Sequence, residues 1–123
     1  VRLLVCGSRH WTNAPLIFNA IQDLDHIWPI ECVIHGGARG ADTMAAQVAE
    51  RLGIFILTFA PDWKRYGRGA GVRRNQEMLD ISKPTRWLAF TNNLDTSRGT
   101  ADMVRRLRRA GIPGEVITEK GDE

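Results

Sequence analysis

The chain has 123 residues, 43% of them hydrophobic and 25% charged, with a formal net charge of +3. That is one domain's length, enough to sustain a core without metal or disulfide support, and no apolar run approaches the roughly 20 residues of a membrane helix. The mild basic excess suits nucleic acid or phosphorylated small molecules and selects neither.

Residues 1–6 (VRLLVC) are short, apolar and closed by Gly7, which reads as a strand. Asn13-Ala14-Pro15 opens a helix, with proline near the first helical position where its missing N–H costs nothing. Ile17, Ile21 and Leu24 follow at helical spacing and carry it over 14–27. Residues 31–35 (ECVIH) form a second strand, ended by Gly36-Gly37. A helix over 41–52 then presents Met44, Ala45, Val48, Ala49 and Leu52 on one side and stops at Gly53. Residues 54–59 (IFILTF) are apolar on both faces, the pattern of a central strand in a parallel sheet. APDWKRYGRGAG reads as a long basic, glycine-rich loop, followed by a helix over 71–81. Residues 85–91 make a fourth strand, NNLDTSRG a polar loop, 99–110 a helix ended by Gly111, and 116–118 a fifth strand.

Strands that alternate with helices from end to end predict one doubly wound α/β domain of about five mainly parallel strands flanked by about four helices. We expect it to span 1–118, with an acidic tail over 119–123. Cys6 and Cys32 sit in apolar runs and are expected to be reduced core residues. With no charged-then-apolar leader at the start, a cytoplasmic location is expected. Trp28 and Trp87 are expected in the core, and RRLRR (105–109) as a solvated helix face around Leu107.

Sheets of this class bind ligands beyond the C-terminal ends of their strands. The unusual residues fall there: GSRHW (7–11), HGGARGAD (35–42), APDWKRYG (60–67) and TNNLDTSRGT (91–100). Gly36, Gly37 and Gly40 fit neither the dinucleotide fingerprint nor a phosphate-loop pattern. Glycines still let backbone approach a phosphate, and the free N–H groups that open a helix attract anions. Asp42 reads either as a helix cap or as an acceptor of ribose hydroxyls. Gly7, Ser8 and Arg9 offer close approach, a hydroxyl and a planar fork for phosphate. Gly99 and Thr100 repeat the glycine-to-helix arrangement. Trp63 and Tyr66 alternate with cations in a pattern that stacks a base, with Trp11 as a further cover. Arg74 is then placed for phosphate, and Asn75 brings both donor and acceptor. Each turn is also explicable as a tight turn alone. His10, His26 and His35 show no metal-ligand spacing with either cysteine, so no metal is expected.

Taken in order, GSR after the first strand, HGGARGAD after the second, W-x-x-Y-G with R-N-x-x-M after the third, and a late R-G-T-x-D resemble the YspA-like branch of the SLOG superfamily. That superfamily is named for the SMF/DprA proteins and the Lonely Guy enzymes. The resemblance runs over nearly the whole chain. It implies a Rossmann-like fold and a site for a nucleotide or nucleotide-derived ligand, with no cofactor. Lonely Guy enzymes release the base from a nucleoside 5′-monophosphate, other members are proposed sensors of nucleotide signals, and DprA proteins bind single-stranded DNA. The arginine of the Lonely Guy R-K-x-x-M stretch falls by position on Arg74. Their P-G-G-x-G-T-x-x-E stretch matches at Gly99 and Thr100, departs from the pattern at Asp95-Thr96-Ser97, and carries Met103 in place of the glutamate. The carboxylates left as catalytic candidates beside Arg74 are Asp42 and Asp102. The resemblance thus implies a nucleotide sensor or an N-glycosidic, phosphoribohydrolase-like enzyme, with a single-stranded DNA-binding module as the alternative. A homodimer is also expected, and no membrane partner.

Overall fold

The computed structural model describes residues 1–119, so residues 120–123 of the expected acidic tail lie outside the described residues. Five parallel strands form one sheet: β1 (Arg2–Gly7), β2 (Cys32–His35), β3 (Phe55–Thr58), β4 (Arg86–Phe90) and β5 (Gly114–Ile117). Their order is β3-β2-β1-β4-β5. Four long helices alternate with them, α1 (Ala14–Ile27), α2 (Ala41–Arg51), α4 (Ala70–Ser82) and α5 (Arg98–Arg109), with a single turn, α3 (Trp63–Tyr66), before α4. The doubly wound, Rossmann-like fold expected of the alternation is the fold found.

The two faces of the sheet pack separate apolar layers. Leu3, Val5, Val33 and Leu88 meet α1 and α2 through Ile17, Ile21, Ala45 and Val48. Leu4, Cys6, Ile34 and Ala89 meet α4 and α5 through Met78, Met103, Val104 and Leu107. Alternate residues of one strand therefore supply opposite layers, as the two-residue period of a strand requires. The chain leaves β1 toward β2 and β3, then crosses back to β4 on the other side of β1. In sheets of this class, ligands bind at such a switch, beyond the C-terminal ends of the strands.

Local chemistry sets the element boundaries. Asn13 opens α1 by accepting the Leu16 N–H at 3.1 Å, with Pro15 inside the first turn. Asp62 opens α3 in the same way, accepting the Arg65 N–H at 3.1 Å. The stretch expected as a loop therefore contains a capped helical turn and a short 3-10 segment, Gly67–Gly69, and runs straight into α4. Two further expectations change. β3 is an edge strand, not a central one, and its Phe55 is 74% exposed. Trp28 is partly exposed at the end of α1, with the Arg86 guanidinium 3.8 Å over its ring, whereas Trp87 is buried and donates its indole N–H to the Ile112 carbonyl at 2.8 Å. Leu107 is fully buried, with Arg105, Arg108 and Arg109 exposed around it. Cys6 and Cys32 are free and buried. Among the described residues no helix is long and apolar enough to cross a membrane.

Candidate functional site

The loops that follow β1, β2, β3 and β4 meet at the C-terminal rim of the sheet. The turn after β2 is built around Asp42, whose Oδ2 accepts the N–H of Gly36 at 2.9 Å and of Ala38 at 3.3 Å. Asp42 is only 5% exposed, and burial lifts its carboxyl from the ordinary value to about 6, against the pull of those two N–H groups and of Arg74. The neighbouring His35 is wired in a single tautomer. Its Nδ1 accepts the Gly37 N–H at 3.0 Å, so the ring proton sits on Nε2 and is donated to the Thr58 hydroxyl at 2.9 Å. Burial, helped by the charge of Arg74, holds its pKa below the ordinary value and favours this neutral form. His35 thus ties the β2 turn to the end of β3, a role a His-Gly-Gly tripeptide gives no means of reading.

Gly40 packs where no side chain fits. Its φ is +77°, and a Cβ there would lie 2.6 Å from the Arg9 carbonyl carbon. The turns after β1 and β2 are thereby pressed together, and the Ala41 N–H donates to the Ser8 carbonyl at 3.1 Å. Gly7 is equally confined, its missing Cβ facing Ala41 Cβ at 2.7 Å. Ser8 turns its hydroxyl inward to accept the His10 N–H at 3.1 Å, while the Arg9 side chain is exposed.

Arg74 enters from the other face of the sheet. Its Nη1 donates to the carbonyls of Gly36 and, at 3.4 Å, Phe59, and its Nε donates to Asn75 Oδ1 at 3.0 Å. Gly36 is glycine for that reason: a Cβ would overlap the guanidinium. Nη2 has no hydrogen-bond partner among the described residues. Asn75 is 3% exposed, and its Nδ2 uses both donors, to the Gly99 carbonyl at 3.2 Å and to Asp102 Oδ2 at 3.0 Å. It positions Arg74 and clamps α4 to α5, with both of its N–H donors taken. Asp102 completes the clamp, taking the Arg106 Nε–H at 2.9 Å, with Arg105 at 3.7 Å. Hydrogen bonds from Arg106 and Asn75 outweigh the opposing effect of its burial and keep its carboxyl below the ordinary range.

The first turn of α5 opens without a side-chain cap, since the Ser97 hydroxyl is engaged by Thr91 at 3.0 Å. Gly99 there faces open space, and Thr100 is buried beside it. Among the aromatic candidates, Trp63 is exposed at the rim, whereas Tyr66 has the Arg73 guanidinium 4.0 Å over its ring. Trp11 is 3% exposed and packs on Phe90 with ring centroids 5.7 Å apart, so it is core and not a cover for a base. Lys64, Arg65, Arg68 and Arg73 stand exposed around α3 and the start of α4, with Arg9 and Arg39 on the adjoining loops and Arg98 at the start of α5. A cleft of about 290 Å³ between α1 and α2 is mostly apolar and lies away from this convergence of charge.

The arrangement is thus one buried carboxylate with a raised pKa, one half-buried guanidinium with a free edge, one uncapped helix N-terminus and a fringe of exposed cations. Such a surface attracts phosphate and can hold a proton near neutrality. The chain resembles known proteins over most of its length. Over 118 residues the chain is 37% identical to the Gene 61 protein of Mycobacterium phage D29, covering 91% of this chain and 92% of that protein. Its fold matches that of DNA processing protein A (DprA) from Streptococcus pneumoniae with a TM-score of 0.70 at 18% identity. The match covers 95% of this chain and 49% of that structure, so the chain spans about half of its length. Residues 1–66 match the model of the YspA, cpYpsA-related SLOG family. With that match and a full-length relative at 37% identity, the chain belongs to this family.

Proposed function

We propose that the strand-end rim binds a nucleotide or nucleotide-derived ligand through its phosphate. The observation that carries this is Arg74, whose guanidinium is fixed by Gly36 and Asn75 yet keeps Nη2 free. In this reading the phosphate sits between Arg74 and the first turn of α5 at Gly99 and Thr100, with Arg9 as a further cation. Trp63 covers the base, and Asp42 with the glycine turn faces the sugar. The whole site belongs to one domain, residues 1–118, acting in the cytoplasm.

The reading has a sensing form and an enzymatic one. Breaking a base–ribose bond passes through an oxocarbenium-like state, which needs a carboxylate to stabilise the charge or activate water. Asp42 suits that role better than Asp102. It has a raised pKa and an Oδ1 with no hydrogen-bond partner among the described residues, whereas Asp102 is held by Asn75 and two arginines. The exposed cations around α3 favour a second reading, single-stranded DNA tracking along the rim.

Thermal unfolding against mononucleotides, ADP-ribose, NAD and short single-stranded DNA tests both. A ligand at 100 times its dissociation constant adds about 2.7 kcal/mol, a shift on the order of 10 °C for a domain of this size. A mononucleotide or ADP-ribose shift that disappears in Arg74→Ala supports the pocket, and release of free base then separates enzyme from sensor. A response to DNA alone that falls steeply with salt replaces the first reading with the second.

A further inference from the structure

We infer that β3 pairs antiparallel with β3 of a second copy of this chain, joining two sheets of five into one sheet of ten. The inference is independent of the ligand reading. Edge strands of soluble monomers are guarded by charge, proline or a bulge, and β3 (FILT) has none of these. One of its faces is also bare. Ile56 packs with the α1–α2 layer, but on the other face α4 packs mainly against β2, and Phe55 and Leu57 are 74% and 37% exposed. Ile81 adds to this surface. Arg74 reaches the ends of β2 and β3, and Ile81 follows seven residues later, two turns down the same side of α4. It is 67% exposed.

The backbone sets which register closes. Phe59 donates its N–H inward to the His35 carbonyl. Alternate residues of the strand therefore face β2, and Ile56 and Thr58 turn their N–H and C=O groups outward. A twofold axis through Leu57 places Ile56 opposite the partner copy's Thr58 and the reverse, so each outward group finds a complementary one. In this register Leu57 lies against its own symmetry mate, and Phe55 lies opposite Phe59, a cross-strand aromatic pair on the face that is otherwise bare. Charge agrees. Antiparallel copies set the upper end of one edge beside the lower end of the other, and the upper end carries exposed Lys64 and Arg65 while the lower carries exposed Glu50 and Glu77. A stable interface buries about 800 Å² per partner, more than a four-residue strand supplies. The flanks formed by α3 and α4 of both copies therefore close over the strand pair.

Sedimentation or light scattering of the full chain over a wide concentration range tests the pairing. A dimer is expected, weakened at least tenfold by Leu57→Lys, which sets two ammonium groups face to face on the axis. Leu57→Cys is expected to cross-link on oxidation, because a central non-hydrogen-bonded pair brings Cα atoms to about 4.5 Å, within disulfide reach. Phe55→Lys, at a still more exposed position, repeats the charge test if L57K lowers the melting temperature. A monomeric wild type, a dimer indifferent to both lysine substitutions, or a dimer in which L57C fails to cross-link overturns the inference.

Discussion

Gly36→Ala should separate the function of the rim from its stability. The substitution places a methyl group on the Arg74 guanidinium, 2.6 Å from Cζ and 3.1 Å from Nε. The φ of Gly36 lies outside the left-handed region, so the backbone accepts alanine and the mobile end of Arg74 yields instead. The arginine then loses its bonds to the Gly36 carbonyl and to Asn75. Bonds to a charged group are worth about 1.5–3 kcal/mol each, but this guanidinium is half-buried and swings out into water that replaces most of that. We expect a stability loss of about 1–2 kcal/mol, near 5 °C in Tm. Gly40→Ala is the contrast. It combines φ +77° with a contact of 2.6 Å to backbone, which cannot swing away. Left-handed strain of about 1–2 kcal/mol and overpacking of about 1–3 kcal/mol then add. Calorimetric titration with the nucleotide that stabilises the wild type should show G36A weakened about 10- to 100-fold, the worth of one charge-assisted bond. Arg74→Ala should match it, and the double variant should be no weaker than either. If G36A binds normally while R74A does not, or if G36A weakens binding further in the R74A background, the placement of Arg74 at the phosphate is wrong.

Asp42 predicts a stability profile against pH. Its folded pKa is about 6 against 3.8 when unperturbed, so the folded chain holds a proton between those values that the unfolded chain has released. The contribution is complete below pH 3.8 and lost as pH rises through 6, leaving neutral solution poorer by about 3 kcal/mol. Asp42→Asn should remove that slope in denaturant titrations. His35, held below its ordinary value, acts in the opposite direction, so the difference between D42N and wild type is the readout. An unchanged slope in D42N would exclude Asp42 as its source. Asn75→Ala should cost about 2–4 kcal/mol by removing three hydrogen bonds together, those to Asp102, the Gly99 carbonyl and Arg74 Nε, seen as a Tm lower by about 10 °C. A shift under 3 °C would mean that water substitutes for the clamp.

The elements whose apolar period is long were readable in advance. α1 came from Asn13, Pro15 and the Ile17–Ile21 spacing, and each strand from a short apolar run. β3 was misplaced because an apolar strand looks alike at the centre of a sheet and at its edge, and composition does not encode strand order. α3 was invisible for a different reason. Four residues are too few to show a helical period, and only the Asp62 cap marks them. Within the site, the convergence of Asp42, Arg74 and the glycine turns followed from strand-end topology, but their division of labour did not. Asn75 looks like a ligand contact in sequence, and only the geometry shows both its donors taken by Gly99 and Asp102 and its oxygen engaged by Arg74. Trp11 and Trp63 are the same residue type on neighbouring loops, and burial alone separates them.

The tethering of Arg74 bears on the thermodynamics of binding. A free arginine gives up about 2 kcal/mol of rotamer entropy when a ligand immobilises it. Here Gly36, Phe59 and Asn75 already confine the side chain. That ordering cost is met during folding, so a phosphate arriving at Nη2 meets a preformed partner. Association should then show little change in local mobility at α4 and an enthalpy close to that of the contact itself. In the proposed reading, a rim built this way would meet a small anion already in position, without closing around it.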